Sequence, residues 1–122
     1  MIINFYELRV WQKANNLALQ IYKVTKKFPS DEKFNLTSQL RRASTSVGAN
    51  IAEGFGKNTK NDKLRFFHQA RGSLYETLNF ILFCKDLKLI KDEEVEQLIE
   101  EYKGLIRGLN SFISSFSEST AR

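Results

Sequence analysis

The chain has 122 residues, of which 42% are apolar and 27% are charged; this length suits one domain, and this composition argues against an intrinsically disordered chain. The formal net charge is +5, and the longest unbroken apolar run, Phe80 to Cys84, is far below the ~18 residues that a membrane-spanning helix needs. With one cysteine and no signal-like N-terminal segment, a cytoplasmic protein that does not enter the membrane is expected.

Apolar residues recur at steps of three and four along four segments, which is the pattern of amphipathic helices. The first helix is expected over about 6–27, because Pro29 disfavours helical backbone at Phe28 and lacks an N–H donor. The second is expected over about 35–54. Its apolar seam consists of Leu36, Leu40, Ala43, Val47, Ile51 and Phe55, and Gly54 and Gly56 are placed for a left-handed C-terminal cap.

The third helix is expected over about 60–89, with Asn58 or Thr59 as its N-cap. The fourth is expected over about 91–116, where apolar residues follow a heptad pattern: Val95, Leu98, Tyr102, Leu105, Leu109, Phe112 and Phe116. No strand pattern is present, so the sequence predicts an all-α fold, an antiparallel up-down-up-down four-helix bundle forming a single domain over 1–122. Apolar residues off the main seam of the third helix, such as Leu82 and Phe83, indicate a partner subunit.

Charge is placed unevenly along the chain. Residues 1–91 contain 16 Lys and Arg against 7 Asp and Glu, whereas residues 92–122 contain 3 against 7. Such an asymmetry favours an anionic partner for one face, and RNA or DNA is the natural candidate; lysines spread for solubility are the alternative. The cations expected to bind nucleic acid are Arg41, Arg42, Lys57, Lys60, Lys63 and Arg65.

Small residues in the second and third helices predict that the two helices cross closely, because glycine within a helix is costly unless it permits a tight contact. A carboxylate near such a crossing needs a partner, so Glu53 is expected to pair with Arg71 or Arg42. The predicted structural motif consists of Asn50, Glu53, Gly54, Arg71, Gly72, Ser73 and Glu76. Gly104 and Gly108 form a similar stripe on the fourth helix, either at a subunit boundary or as an exposed polar surface.

Catalysis is not expected from this sequence. Cys84 and His68 stand without the further ligands of a zinc site or the partners of an activated nucleophile, and no second titrating group accompanies Glu53. The segment 54–59 lacks the spacing and the preceding strand of a phosphate-binding loop, and residues 39–54 lack the break of a helix-turn-helix motif. No catalytic residue, metal or cofactor is therefore predicted.

Five short segments together resemble a known family in their order and spacing. They are VWQKA at 10–14, FP at 28–29, QLRRA at 39–43, SVGANIAEGFGK at 46–57 and ARGSLYE at 70–76. In these segments the chain resembles the four-helix bundle proteins encoded in intervening sequences of bacterial 23S rRNA genes, although many members have proline or serine at the position of Gly48. The resemblance implies a homo-oligomer, typically a pentameric ring, and relatedness to the accessory protein of diversity-generating retroelements, which binds nucleic acid and a reverse transcriptase.

The sequence thus predicts a non-enzymatic, homo-oligomeric bundle that binds RNA or DNA through its basic surface and acts as an adaptor for a protein partner. The alternative is a protein-interaction or scaffolding module that does not bind nucleic acid. The two differ in their partner, since the first requires phosphate-binding cations that remain accessible.

Overall fold

The computed structural model describes residues 1–118 and contains no strand within that range. Its four helices are α1 (Arg9–Thr25), α2 (Leu36–Phe55), α3 (Lys60–Asp86) and α4 (Asp92–Glu118). Short 3-10 turns lie before α1 at Phe5–Glu7 and between α1 and α2 at Ser30–Glu32. The start of α1 is later than expected because Leu8 has an extended backbone, with φ −72° and ψ 130°.

The helices end in ways that the sequence pattern did not predict. The left-handed cap expected after α2 is wrong: Gly56 has φ −81° and ψ −5°, and the Phe55 carbonyl instead accepts a hydrogen bond from Lys63 Nζ at 2.7 Å. The left-handed residue is Lys88, with φ 63°. It follows α3, where the Leu89 N–H donates to the Cys84 carbonyl at 2.9 Å in the pattern of a Schellman cap, and α3 therefore ends at Asp86.

Each helix packs against two others, so the four helices lie at the corners of a square. α1 and α3 each contact α2 and α4, whereas the diagonal pairs α1/α3 and α2/α4 make no close backbone contact in the described part of the chain. Lys27 lies 3.1 Å from Glu94 and Lys13 lies 3.7 Å from Glu101, so α1 and α4 run antiparallel. The predicted all-α four-helix bundle is confirmed.

The heptad seams form the core. The seam of α2 is buried from Leu36 to Ile51, and the seam of α4 is buried from Val95 to Leu109. The last two seam residues of α4, Phe112 and Phe116, pack edge-on against Phe67 of α3, with ring centroids 5.0 and 5.7 Å away. None of the helices within residues 1–118 combines the length and the apolar character that crossing a membrane requires.

The crossing of α2 and α3 depends on small residues, although not on all of those expected. A Cβ at Gly54 would lie 2.7 Å from Cε1 of Phe67, which is shorter than any ordinary contact, so only glycine permits this approach. Farther along the crossing, the hydroxyls of Ser46 and Ser73 are 3.0 Å apart, and Asn50 Nδ2 donates to the Ser46 carbonyl at 2.9 Å. Gly72 is different: nothing lies within 4 Å of its Cβ position, and its expected part in the crossing is wrong because it lies on the exposed side of α3.

Candidate nucleic-acid interface

Arg41 is held by the C-terminal end of α1. Its Nε donates to Thr25 Oγ1 at 2.8 Å, and its Nη2 donates to the Tyr22 carbonyl at 3.3 Å. The guanidinium also lies 4.3 Å from the centroid of the Tyr22 ring. A cation at this position satisfies helix carbonyls and interacts favourably with the negative end of the α1 dipole. Arg41 is half-buried in this role, and the structure therefore accounts for it as a helix cap.

Arg42 points the other way, toward α3. It forms an ion pair with Glu76, and its Nη2 donates to Gln39 Oε1 at 3.1 Å. The two arginines are neighbours in sequence, and their side chains diverge because successive helical residues are about 100° apart. Arg42 and Glu76 together tie α2 to α3.

The pairing expected for Glu53 is wrong. Glu53 is exposed on α2, and neither arginine reaches it. Arg42 contacts Glu76, and Arg71 faces α4, where its Nη1 donates to Asn110 Oδ1 at 2.9 Å. Its Nη2 lies 2.9 Å from Nδ1 of His68. The physical reason is rotational position, since Arg71 lies on the side of α3 turned away from α2.

The remaining four predicted cations cluster at the opposite end of α2 from Arg41 and Arg42. We call residues 57–65 the basic turn; it contains Lys57, Lys60, Lys63 and Arg65 against one carboxylate, Asp62. At 1.5 Å per residue, the helix between Arg42 and Phe55 separates the basic turn from the two arginines by about 20 Å. The six cations predicted to form one surface thus fall into two groups.

The basic turn is shaped by the start of α3. Thr59 is the N-cap, as expected, and its hydroxyl accepts a hydrogen bond from the Asp62 N–H at 3.1 Å. Lys57 Nζ lies 5.0 Å from the centroid of the Phe66 ring, and the Arg65 guanidinium lies 4.7 Å from it. Phe66 therefore holds two cations near its ring through cation–π attraction.

Two of these cations keep hydrogen-bond donors for a ligand. Lys63 uses one donor on the Phe55 carbonyl, and a lysine ammonium has three. Arg65 lies 3.8 Å from Asp62, and 57% of its side chain is exposed; that separation is too long for a direct hydrogen bond, so the guanidinium fork stays accessible. Lys60 is half-buried at the first position of α3. The geometry suits an extended anion that runs along the end of the bundle.

Two observations concern the potentially reactive side chains of the described residues. Across residues 1–118 no group of three or more His, Cys, Asp or Glu side chains is placed to hold a metal ion. Cys84 is fully buried, and burial, with a smaller contribution from the charge of Glu32, raises the pKa of its thiol to about 11. The thiol is therefore protonated at neutral pH, which makes it a poor nucleophile.

Several contacts at these cations could not be identified from the sequence. Nothing in the helical pattern marks Thr25 as the acceptor for Arg41, and nothing marks Lys63 as the cap of α2. A weak signal exists for Lys63, since a cation shortly after a helix end can return to its last carbonyls. The register between helices decides both contacts.

Comparison with known proteins agrees with this fold. The chain matches the family model of the 23S rRNA-intervening sequence protein over residues 6–111. A similar crystal structure, from Bacteroides thetaiotaomicron, is of a protein with unknown function from the S23 ribosomal protein family; the two chains are 24% identical, with a TM-score of 0.80 over 86% of this chain and 95% of that one. At this identity the likeness shows the fold, and no curated protein matched the sequence. The match over residues 6–111 places the chain in the 23S rRNA-intervening sequence protein family.

Proposed function

We propose that this protein is a non-catalytic, self-associating bundle that binds RNA or DNA through the basic turn. The observation that carries the proposal is the concentration of Lys57, Lys60, Lys63 and Arg65 within nine consecutive residues at one end of the bundle, with Asp62 as the one carboxylate among them. Phosphate oxygens are the ligands that such a cluster prefers, because lysine and arginine both form charge-assisted hydrogen bonds with them.

The proposal assigns different roles to the six cations predicted from the sequence. Arg41 and Arg42 stabilise the fold through Thr25 and Glu76, and phosphate binding is left to the basic turn. The contacts would be made to the nucleic-acid backbone and would carry little sequence information. Binding is therefore expected to weaken steeply with salt and to depend weakly on sequence.

Self-association strengthens this binding. Each copy contributes one basic turn, and several turns at fixed spacing bind a single nucleic-acid strand with an avidity that one turn does not have. The same assembly serves an adaptor role, because it leaves other surfaces of the bundle available to a protein partner.

A charge-reversal experiment tests the binding site. The triple variant Lys57→Glu, Lys60→Glu, Arg65→Glu reverses the charge of three of the four cations in the basic turn. It spares Lys63, which caps α2. Its matched control, Lys33→Glu, Lys88→Glu, Lys91→Glu, changes the net charge equally with residues that are all exposed in the loops at the other end of the bundle. Fluorescence anisotropy with single-stranded RNA and duplex DNA, at about 50 and about 200 mM salt, gives the affinities and their salt dependence.

We expect the basic-turn variant to lose at least about tenfold in affinity, and the control to lose much less, because phosphate contacts act over short distances in salt. Equal losses in both variants would show that net charge alone attracts the nucleic acid. Absence of wild-type binding at micromolar protein in the lower salt would overturn the proposal and favour the alternative, a protein-interaction module. The exposed apolar residues Leu82 and Phe83 are the observation that favours that alternative.

A further inference from the structure

The side of α3 next to α4 carries large apolar residues that the bundle does not cover. Arg71 contacts Asn110 of α4, and steps of four, three and four from Arg71 lead along the same side of α3 to Tyr75, Leu78 and Leu82. Tyr75 is 55% exposed and Leu82 is 45% exposed. This side of the helix therefore remains open along three turns.

α4 extends the same surface. Steps back along α4 from Asn110 lead to Ile106 and Ile99, both of which are half-buried. We call these five residues the apolar face: Tyr75, Leu78, Leu82, Ile99 and Ile106. Phe83, which is 52% exposed, lies about 100° around α3 from Leu82 and is not part of this face. The exposed halves of Tyr75 and Leu82, together with the smaller exposed fractions of the other three residues, leave on the order of 300 Å² of apolar surface, the size of patch that is often functional.

A groove of complementary character lies between α1 and α2. It has a volume of about 300 Å³ and is lined mainly by small residues, so we call it the small-residue groove. Its lining includes Trp11, Asn15 and Ala18 of α1 and Thr45, Gly48 and Ala49 of α2. At Gly48 a Cβ would lie 3.2 Å from Nε1 of Trp11, so a larger residue there would crowd the indole. A concave strip of this kind fits the projecting side chains of a helix laid against it.

The two surfaces lie on opposite sides of the bundle. The helices contact one another in the cyclic order α1, α2, α3, α4, so the α1/α2 edge is across the square from the α3/α4 edge. A projecting surface fits a groove but does not fit a second copy of itself, so these two surfaces cannot form a symmetric contact in which both copies use the same patch. Two copies joined through them form a heterologous contact, which leads to a ring or a filament.

Charge favours a second copy of this chain as the occupant. Residues 9–27, which comprise α1 and the two residues after it, contain five Lys and Arg and no acidic residue, whereas α4 contains seven Asp and Glu against two Lys and Arg. Glu96 and Glu100 are exposed on α4, and Lys23 and Lys26 are exposed on α1. The acidic helix borders the apolar face and the basic helix borders the small-residue groove, so opposite charges meet when the two surfaces join.

We infer that copies of this protein associate head to tail, with the apolar face of one copy seated in the small-residue groove of the next. The inference deepens the proposed self-association by naming the two surfaces, and it rests on that proposal. A filament or a closed ring follows from the same contact, according to the angle between neighbours.

Complementation between two defective variants tests this contact. Leu82→Lys disables the apolar face and leaves the groove intact, and Ala49→Lys disables the groove and leaves the apolar face intact. Both positions are exposed, so folding is retained, and the two new charges have the same sign, so the disabled surfaces do not attract each other. Gln69→Lys, on the exposed surface of α3 that turns toward α2, is the control. Sedimentation velocity gives the mass of each species, and far-UV circular dichroism confirms its helicity.

We expect the wild type and Gln69→Lys to form oligomers and each of the other two variants to be monomeric. An equimolar mixture of Leu82→Lys and Ala49→Lys should form a dimer and nothing larger, because one functional apolar face meets one functional groove. Oligomers that persist in either variant, or a mixture that stays monomeric, would overturn the head-to-tail contact while self-association stands. A monomeric wild type would instead overturn the proposed self-association itself.

Discussion

The two sides of α3 use side-chain size in opposite ways. Toward α2 the helix presents Ser73 and the fully buried Ala70, and Phe67 packs directly against Gly54. Toward α4 and solvent it presents Tyr75 and Leu82, each about half exposed. The covered side brings two backbones close together, and the open side projects bulk away from its own bundle. Apolar content alone therefore does not tell which side of a helix is buried within the protomer.

Two glycine substitutions give the largest contrast between these regions. Gly54→Ala is expected to destabilise the fold by about 1–3 kcal/mol, because its Cβ would overlap Phe67, and this overpacking outweighs alanine's better helix propensity. Gly72→Ala, on the open side, is expected to stabilise it by roughly 0.5–1 kcal/mol, since the new methyl group meets nothing within 4 Å. Urea denaturation monitored by circular dichroism measures both changes. Stabilisation by Gly54→Ala would show that the close approach is not a feature of the folded protein.

A smaller change in stability is expected from removing a buried hydroxyl group. Thr77 Oγ1 donates to the Ser73 carbonyl at 2.8 Å, whereas the buried hydroxyl of Tyr102 has no hydrogen-bond partner in the described chain. Tyr102→Phe is therefore expected to leave stability unchanged or raise it by up to about 1 kcal/mol, because it removes a buried polar group that makes no bond. A loss of more than about 1 kcal/mol in urea denaturation would contradict the described environment.

The burial of Tyr102 also makes the stability of the fold depend on pH. Burial, and to a smaller extent the charge of Glu101, raise the pKa of the Tyr102 hydroxyl above its ordinary value of about 10. The folded protein then keeps this proton at a pH where the unfolded chain loses it, so wild-type stability falls as the pH rises above about 10. That part of the fall should be absent in Tyr102→Phe, which a series of urea denaturations from pH 9 upward would detect.

Helical periodicity was sufficient to predict the bundle. The seams of α2 and α4 are buried where expected, because steps of three and four place those residues on one face whatever the neighbouring helices do. Helix ends were less predictable. The left-handed position belongs to Lys88 rather than to Gly54 or Gly56, since Lys63 already satisfies the last carbonyl of α2.

Contacts between helices were the part that the sequence left open. Glu76, rather than Glu53, pairs with Arg42, and Arg71 turns to Asn110. Each outcome depends on the register and rotation of two helices, which a single helical pattern does not specify. For the same reason, the run of cations from Arg41 to Arg65 divides into a helix cap, an interhelical pair and the basic turn.

Cross-linking between the two opposite faces tests the head-to-tail arrangement most directly. The double variant Ala49→Cys, Leu82→Cys, treated with a short bis-maleimide, should give a ladder of dimers, trimers and larger species on a denaturing gel, because each copy then carries both reactive faces. The native Cys84 is buried, and the wild type serves as the background control. A ladder no stronger than the wild-type background, or an equally strong covalent dimer from Leu82→Cys alone, would contradict head-to-tail association.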